Sequence, residues 1–188
     1  RLDRASVHRL FVGLRPPAPL RAALLALTGG VDGARWQDDE QLHLTLRFVG
    51  EVQRPTAEDL ADALGRLRSP SFEARLEGVG AFGGRGRAGA LWAGAAPREP
   101  LEALHRKVDQ LCVRLGLEPE RRAFTPHVTV ARLSRSASAD DPETQAWRAR
   151  HQGFATDSFT VDRVILYRSH LGRVGASYEP VVTVELTD

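Results

Sequence analysis

The apolar positions follow two patterns along the chain. Around residue 44, Leu42, Leu44, Leu46 and Phe48 alternate with His43, Thr45 and Arg47; around residue 128, Val128 and Val130 alternate with His127, Thr129 and Ala131. A period of two marks a strand with one buried face, because successive side chains leave a strand on opposite sides. Spacing of three and four, the mark of an amphipathic helix, appears at Leu20, Ala23, Leu24 and Leu27, and again at Leu60, Ala63, Leu64 and Leu67. A longer helical run holds Leu101, Leu104, Val108, Leu111, Cys112 and Leu115. Gly29-Gly30, Pro70 and Gly116 end these three runs, as helix-breaking residues do. Pro142 to Arg150 predicts a solvent-facing helix. Further strands are predicted from Phe72 to Leu76, Ala90 to Ala95, Phe159 to Val164 and Tyr178 to Leu186. The glycine-rich run Gly80 to Gly89 reads as a flexible loop between strands, and Ser134 to Asp141 as a polar loop.

These elements repeat. His-Leu-Thr-Leu at 43–46 and His-Val-Thr-Val at 127–130 each follow a helix and precede another. In each half a Ser-Phe pair, Ser71-Phe72 and Ser158-Phe159, then opens a strand, and a further strand closes the half. The order helix, HxTx strand, helix, strand, strand therefore occurs twice. It implies a duplicated unit within one domain spanning 1–188.

Composition narrows the class. The chain has 188 residues, 42% hydrophobic and 27% charged, which suits one domain or two small lobes and excludes global disorder. No run approaches the roughly 18 apolar residues of a membrane-spanning helix. The apolar piece Leu10–Leu14 is cut by Arg15-Pro16-Pro17 and is too short for a signal peptide. Cys112 is the single cysteine; it excludes an internal disulfide framework and a multi-cysteine zinc site, and its place in a helical apolar pattern reads as core. A reducing, cytoplasmic location is expected. The net charge is +2, and Lys107 is the only lysine among 26 basic residues. Arginine suits phosphate, but this charge does not by itself define a nucleic-acid binder. The run Gly80 to Gly89 lacks the lysine and the spacing of a phosphate loop.

The chemistry lies in the two HxT strands. On each, the aliphatic residues face inward, and His and Thr project together from the other face, about 7 Å apart along the strand. Facing each other across a cleft, two imidazoles and two hydroxyls would converge on one small anion. Histidine titrates near neutrality, so one ring can take a proton while the other gives one. In-line displacement at phosphorus needs that pair, with the threonine hydroxyls on the non-bridging oxygens. Zinc is a poor fit: two histidines, preceded by Asp38, Asp39 and Glu40, lack a third His or Cys ligand.

The paired motifs resemble those of the 2H phosphoesterase superfamily. Within it, the chain looks like the bacterial and archaeal RNA 2′,3′-cyclic phosphodiesterases, also called 2′-5′ RNA ligases. The supporting segments are Arg9–Leu14, Trp36, Leu42–Gly50, Pro126–Arg132, and Leu166–Ser169 through Gly175 and Tyr178. The resemblance implies a bilobal α+β fold, with two pseudo-symmetric antiparallel sheets forming a V-shaped cleft and helices outside. It implies opening of a 2′,3′-cyclic phosphate at an RNA end to a 2′-phosphate, with the related 2′-5′ ligation, and no metal, ATP or other cofactor. His127 would activate water and His43 would protonate the ribose 3′-oxygen, although the pseudo-symmetry leaves the opposite order open. Thr45, Thr129 and Arg132 would bind phosphate. Arg132 needs a bulge or strand end to reach it, since strict alternation sets it opposite His127. Arg47, on the His43 face by alternation, and Trp36 are candidate RNA contacts. The partner implied is cleaved RNA such as tRNA halves, acted on by a monomer away from membranes. Two alternatives are carried: another cyclic phosphate or 2′-5′ oligonucleotide as substrate, and a nucleotide- or RNA-binding module without turnover.

Overall fold

The structure is a computed structural model and describes residues 2, 4, 6–84 and 86–187. Among these residues the first half of the chain forms β1 (Val7–Leu14), α1 (Ala18–Leu25), β2 (Ala34–Trp36), a 3-10 turn (Asp39–Gln41), β3 (Leu44–Gln53), α2 (Arg54–Gly65) and β4 (Phe72–Gly84). The second half forms β5 (Arg87–Ala96), α3 (Arg98–Arg114), β6 (His127–Leu133), α4 (Pro142–His151), β7 (Phe159–Val161), β8 (Arg163–Gly172) and β9 (Gly175–Glu185).

The strands join into one curled antiparallel sheet in the order β7-β4-β5-β6-β3-β1-β8-β9, with β2 attached to β6. The α+β class is the one expected, but the strand at Ala90–Ala95, read from the sequence as closing the first half, is β5 and takes the place in the sheet that β1 takes on the other side. The two expected sheets are halves of one sheet, whose seam is a single registered pair, Leu44 opposite Val128. The order is symmetric about that seam, so β3 corresponds to β6, β1 to β5, and β4 to β8. The halves exchange strands. β4, from the first half of the chain, lies beside β5, whereas β8, from the second, lies beside β1. Neither sequence half therefore completes a sheet alone.

The helices cover one face of the sheet. Leu10, Val12, Leu44, Leu46, Leu91, Ala93, Val128 and Val130 from the strands share a core with helix residues such as Leu24, Leu60, Leu64, Leu101, Leu104 and Val108. Cys112 is buried there, as its helical pattern predicts. Each fully buried leucine contributes roughly 1.5–3 kcal/mol relative to exposure. The opposite sheet face carries a separate cluster of Phe11, Ile165 and Tyr167, against which Tyr178 packs. That face lines the cleft.

Two elements differ from the sequence reading. α4 is not a purely surface helix: Trp147 is fully buried, and its indole N–H donates to the Leu27 carbonyl at 2.8 Å. One large aromatic thus anchors an otherwise polar helix. The glycine-rich run is a β-hairpin rather than a loop, because β4 reaches Gly84 and β5 starts at Arg87. Glycine is needed there for close approach. A Cβ on Gly80 would stand 2.2 Å from the Trp92 ring, and one on Gly89 would stand 2.3 Å from the Phe82 carbonyl.

Candidate active site

Both motif strands carry the same distortion. Along β3, Thr45 faces Gly13 and Arg47 faces Val12, which leaves Leu46 without a partner on β1. Along β6, Thr129 faces Trp92 and Ala131 faces Leu91, which leaves Val130 without a partner on β5. Each is a β-bulge, where one extra residue resets the alternation of the pleat. Two consecutive residues then point toward the helices, Leu46 and Arg47 in one strand and Val130 and Ala131 in the other. The residue five positions after each histidine returns to the cleft side. Those residues are Phe48 and Arg132, and both line the cleft.

The bulges change two sequence expectations. Arg132 obtains the bulge it needed and stands in the cleft with Thr129. Arg47 does not share the His43 face. It is 6% exposed and is turned toward α3, where its Nε donates to Asp109 at 2.8 Å and its other nitrogens donate to the carbonyls of Phe48 and Glu118. Burial works against the Asp109 charge, but the Glu120 N–H and the Arg47 guanidinium outweigh it and hold the carboxyl below its ordinary range. His105, one helical turn before Asp109, contacts the Leu46 carbonyl through Nδ1 at 2.6 Å. One face of α3 therefore clamps the β3 bulge.

Trp36 also leaves the expected role. In β2, which pairs with β6 through Arg35 opposite Arg132 and Trp36 opposite Ala131, alternation sends Trp36 inward. Its ring packs 6.1 Å from Trp147. The next residue, Gln37, faces the cleft instead.

Antiparallel counting from Leu44 and Val128 sets His43 beside Thr129 and Thr45 beside His127. The turn before His43 is held by Arg15, which donates to the carbonyls of Asp39 and Leu42 at 2.7 Å each. Around the imidazole stands an aromatic box: Tyr167 at 4.4 Å, Tyr178 at 5.2 Å and Phe11 at 6.0 Å, all edge-on. Burial in this box pushes the His43 pKa down to about 4; the nearby Gln41 carbonyl opposes the shift, and the Arg15 and Arg21 charges add to it. Nδ1 of His43 is buried without a hydrogen bond, the Gln41 carbonyl falling short of bonding geometry. Burial also raises the Tyr167 phenol to about 12.

His127 is framed by the β4–β5 hairpin, with Phe82 at 5.2 Å and Trp92 at 5.8 Å. Its Nδ1 lies 2.6 Å from the Thr125 carbonyl. A carbonyl only accepts, so Nδ1 carries the hydrogen and the Nε2 lone pair is left free. Burial lowers its pKa, the Thr125 carbonyl opposes that, and the Arg132 charge adds to it. Burial thus favours the neutral form of both rings.

His43, Thr45, Thr129 and Arg132 line a cleft of about 240 Å³, together with Arg9, Phe11, Gln37, Gln41, Phe48 and Tyr178. The sequence reading placed no function on Gln37, Gln41 or Phe48. Phe48 follows its histidine at the same distance as Arg132 does, a parallel that gains meaning only once both bulges are seen. Arg9 stands over the Phe48 ring at 5.0 Å.

These features define a class: duplicated α+β proteins in which two HxT strands meet at the centre of a curled sheet and share one cleft. The family model of the 2′-5′ RNA ligase superfamily matches residues 16–173, and the chain belongs to that family. It is 31% identical over 153 residues to an RNA 2′,3′-cyclic phosphodiesterase of Geobacillus stearothermophilus, covering 80% of this chain and 47% of that protein. The chain thus spans about half the length of that relative. An RNA 2′,3′-cyclic phosphodiesterase of Aeropyrum pernix is 31% identical over 150 residues, covering 79% of this chain and 84% of that one. Among solved structures, Escherichia coli LigT complexed with NADP+ superimposes with a TM-score of 0.77 at 28% identity, over 98% of this chain and 100% of that one.

Proposed function

We propose that this chain is an RNA 2′,3′-cyclic phosphodiesterase that opens the cyclic phosphate to a 2′-phosphate by paired histidine acid–base catalysis, without metal or ATP. The observation that carries the reading is the convergence of two bulged HxT strands on one cleft. Family membership and the names of the relatives support it.

His127 acts as the base. Its Nδ1–H is committed to the Thr125 carbonyl, so the Nε2 lone pair is free to take a proton from water. The water oxygen attacks phosphorus as the P–O3′ bond breaks, and the ribose 3′-oxygen leaves with a proton from His43. Thr45, Thr129 and Arg132 donate to the non-bridging oxygens, where charge develops. Burial favours the neutral His43 ring; a bound phosphate anion favours its protonated form and so arms it as the acid. With a 5′-hydroxyl in place of water, the same steps form a 2′-5′ linkage. The substrate is the end of a cleaved RNA such as a tRNA half, and the chain acts as a monomer. Among the described residues, no helix is long and apolar enough to cross a membrane.

The test is incubation, in EDTA and without ATP, with an RNA ending in a 2′,3′-cyclic phosphate. A 2′-phosphate product that disappears in His43→Ala and His127→Ala is expected; unchanged RNA would move the weight to another cyclic phosphate or to a binding role. A substrate with sulfur at the 3′ bridging position separates the roles, because a thiolate leaves without needing a proton. It should restore His43→Ala and leave His127→Ala inactive, and the opposite pattern would reverse the assignment.

A further inference from the structure

Gln37 is a buried polar residue at the cleft to which no role has been assigned above. It is 8% exposed and lines the cleft with His43, Thr45, Thr129 and Arg132. Its main-chain N–H donates to the Val130 carbonyl at 2.9 Å. Val130 is the extra residue of the β6 bulge, so the distortion that aims Arg132 into the cleft also anchors Gln37 beside it. The Gln37 side-chain amide makes no hydrogen bond to another described residue, and its atoms are open to the cleft rather than sealed in the core. A carboxamide offers two N–H donors and one carbonyl acceptor, and these are uncommitted to the protein at the cleft. Its cleft neighbours on β6 are themselves donors, the Thr129 hydroxyl and the Arg132 guanidinium. A ligand that satisfies this set brings several acceptor oxygens on one small centre.

We propose that Gln37 is a further phosphate-binding residue, its side-chain N–H donating to a non-bridging oxygen of the phosphoryl group held by Thr129 and Arg132. The inference deepens the reading of this cleft as a phosphoryl-transfer site and rests on it. The ligand class is a terminal phosphate ester, cyclic or opened. The amide takes no part in proton transfer, so the pH dependence of turnover belongs to the histidines alone.

Two near-isosteric variants test this. Gln37→Leu keeps the bulk and removes the donors. Gln37→Glu keeps the shape and leaves an acceptor-only, negatively charged group. Binding of inorganic phosphate and of a nucleoside 2′-phosphate is followed through the His127 ring resonances, beside kcat and KM on the cyclic substrate. Gln37→Leu is expected to weaken phosphate binding by about 10-fold or more, as loss of a hydrogen bond to a charged oxygen does. Gln37→Glu is expected to weaken it further, and Gln37→Leu should keep the shape of the wild-type pH profile. Wild-type phosphate affinity in Gln37→Leu would overturn the proposal. So would wild-type affinity in Gln37→Glu, which would show that the carbonyl rather than the N–H is used. The phosphate titration needs no turnover. A wild-type chain that binds phosphate but leaves cyclic phosphate RNA unchanged would sink the proposed reaction and still decide the role of Gln37.

Discussion

The two histidines share the same His-x-Thr motif but have different surroundings. His43 sits in a box of Phe11, Tyr167 and Tyr178 with two arginine charges nearby, whereas His127 sits against Phe82 and Trp92 with its Nδ1 committed to a carbonyl. Both are pushed below the ordinary imidazole range, mainly by burial. This sets the pH dependence of the proposed reaction. The productive free enzyme carries one proton shared over the pair, and kcat/KM reports that population. It should peak on the acid side of the usual imidazole value of about 6.5 and fall about tenfold per pH unit above it. A bound phosphate favours the protonated ring, so kcat should hold to higher pH than kcat/KM. Steady-state rates from pH 4 to 9 check both limbs, and a kcat/KM maximum at pH 8 would contradict the burial of the rings.

Strands and helices carry the next level of control. The face of α3 that bears His105 and Asp109 holds the β3 bulge, so its effect on the site passes through the backbone. Asp109→Ala would leave Arg47 charged and buried without its carboxylate. The expected cost is about 3 kcal/mol of stability, with lower activity because Phe48 and Thr45 follow the bulge; denaturant unfolding and turnover of the same variant measure both. The β4–β5 hairpin makes a second case. Gly80→Ala would force the Trp92 ring to move, at a cost of about 1–3 kcal/mol. Trp92 borders His127, so turnover should fall as well, and a variant equal to wild type in both would show that the ring yields freely. This level was partly legible in the chain. Alternation predicted both motif strands, and Leu101 to Cys112 predicted the face of α3 that packs. The bulges were not legible, because a missing partner on β1 or β5 leaves no mark on the local hydrophobic pattern. Arg47 was therefore assigned to the wrong face, and Arg132 could be placed in the cleft only on condition.

For the molecule as a whole, burial of ionisable groups links stability to pH. The folded-state pKa of His43 is about 4, against 6.5 in the exposed chain. Between these values the unfolded chain binds more protons, so stability rises with pH. The contribution is fully present above pH 6.5, is lost as pH falls toward 4, and amounts to about 3 kcal/mol. Denaturant midpoints at pH 7 and 4.5 should differ accordingly, and His43→Asn should flatten that slope. Asp109, whose carboxyl is held low, contributes in a separate window that opens only as pH falls below the ordinary aspartate value of 3.8.

The repeat of helix, HxT strand and helix was readable from residue order alone, because a helix and a half-buried strand each impose a period that local sequence must satisfy. The pairing of imidazole and hydroxyl on each strand was readable for the same reason, as was the burial of Cys112. The pairing that sets β8 beside β1, the single-pair seam that brings the motifs together, and the bulges that admit Phe48 and Arg132 while removing Arg47 were decided by tertiary structure. So were the inward turn of Trp36 and the cleftward turn of Gln37. All of these depend on partners far away along the chain, and hydrogen-bond register between distant strands, unlike local periodicity, exists only once those strands have met.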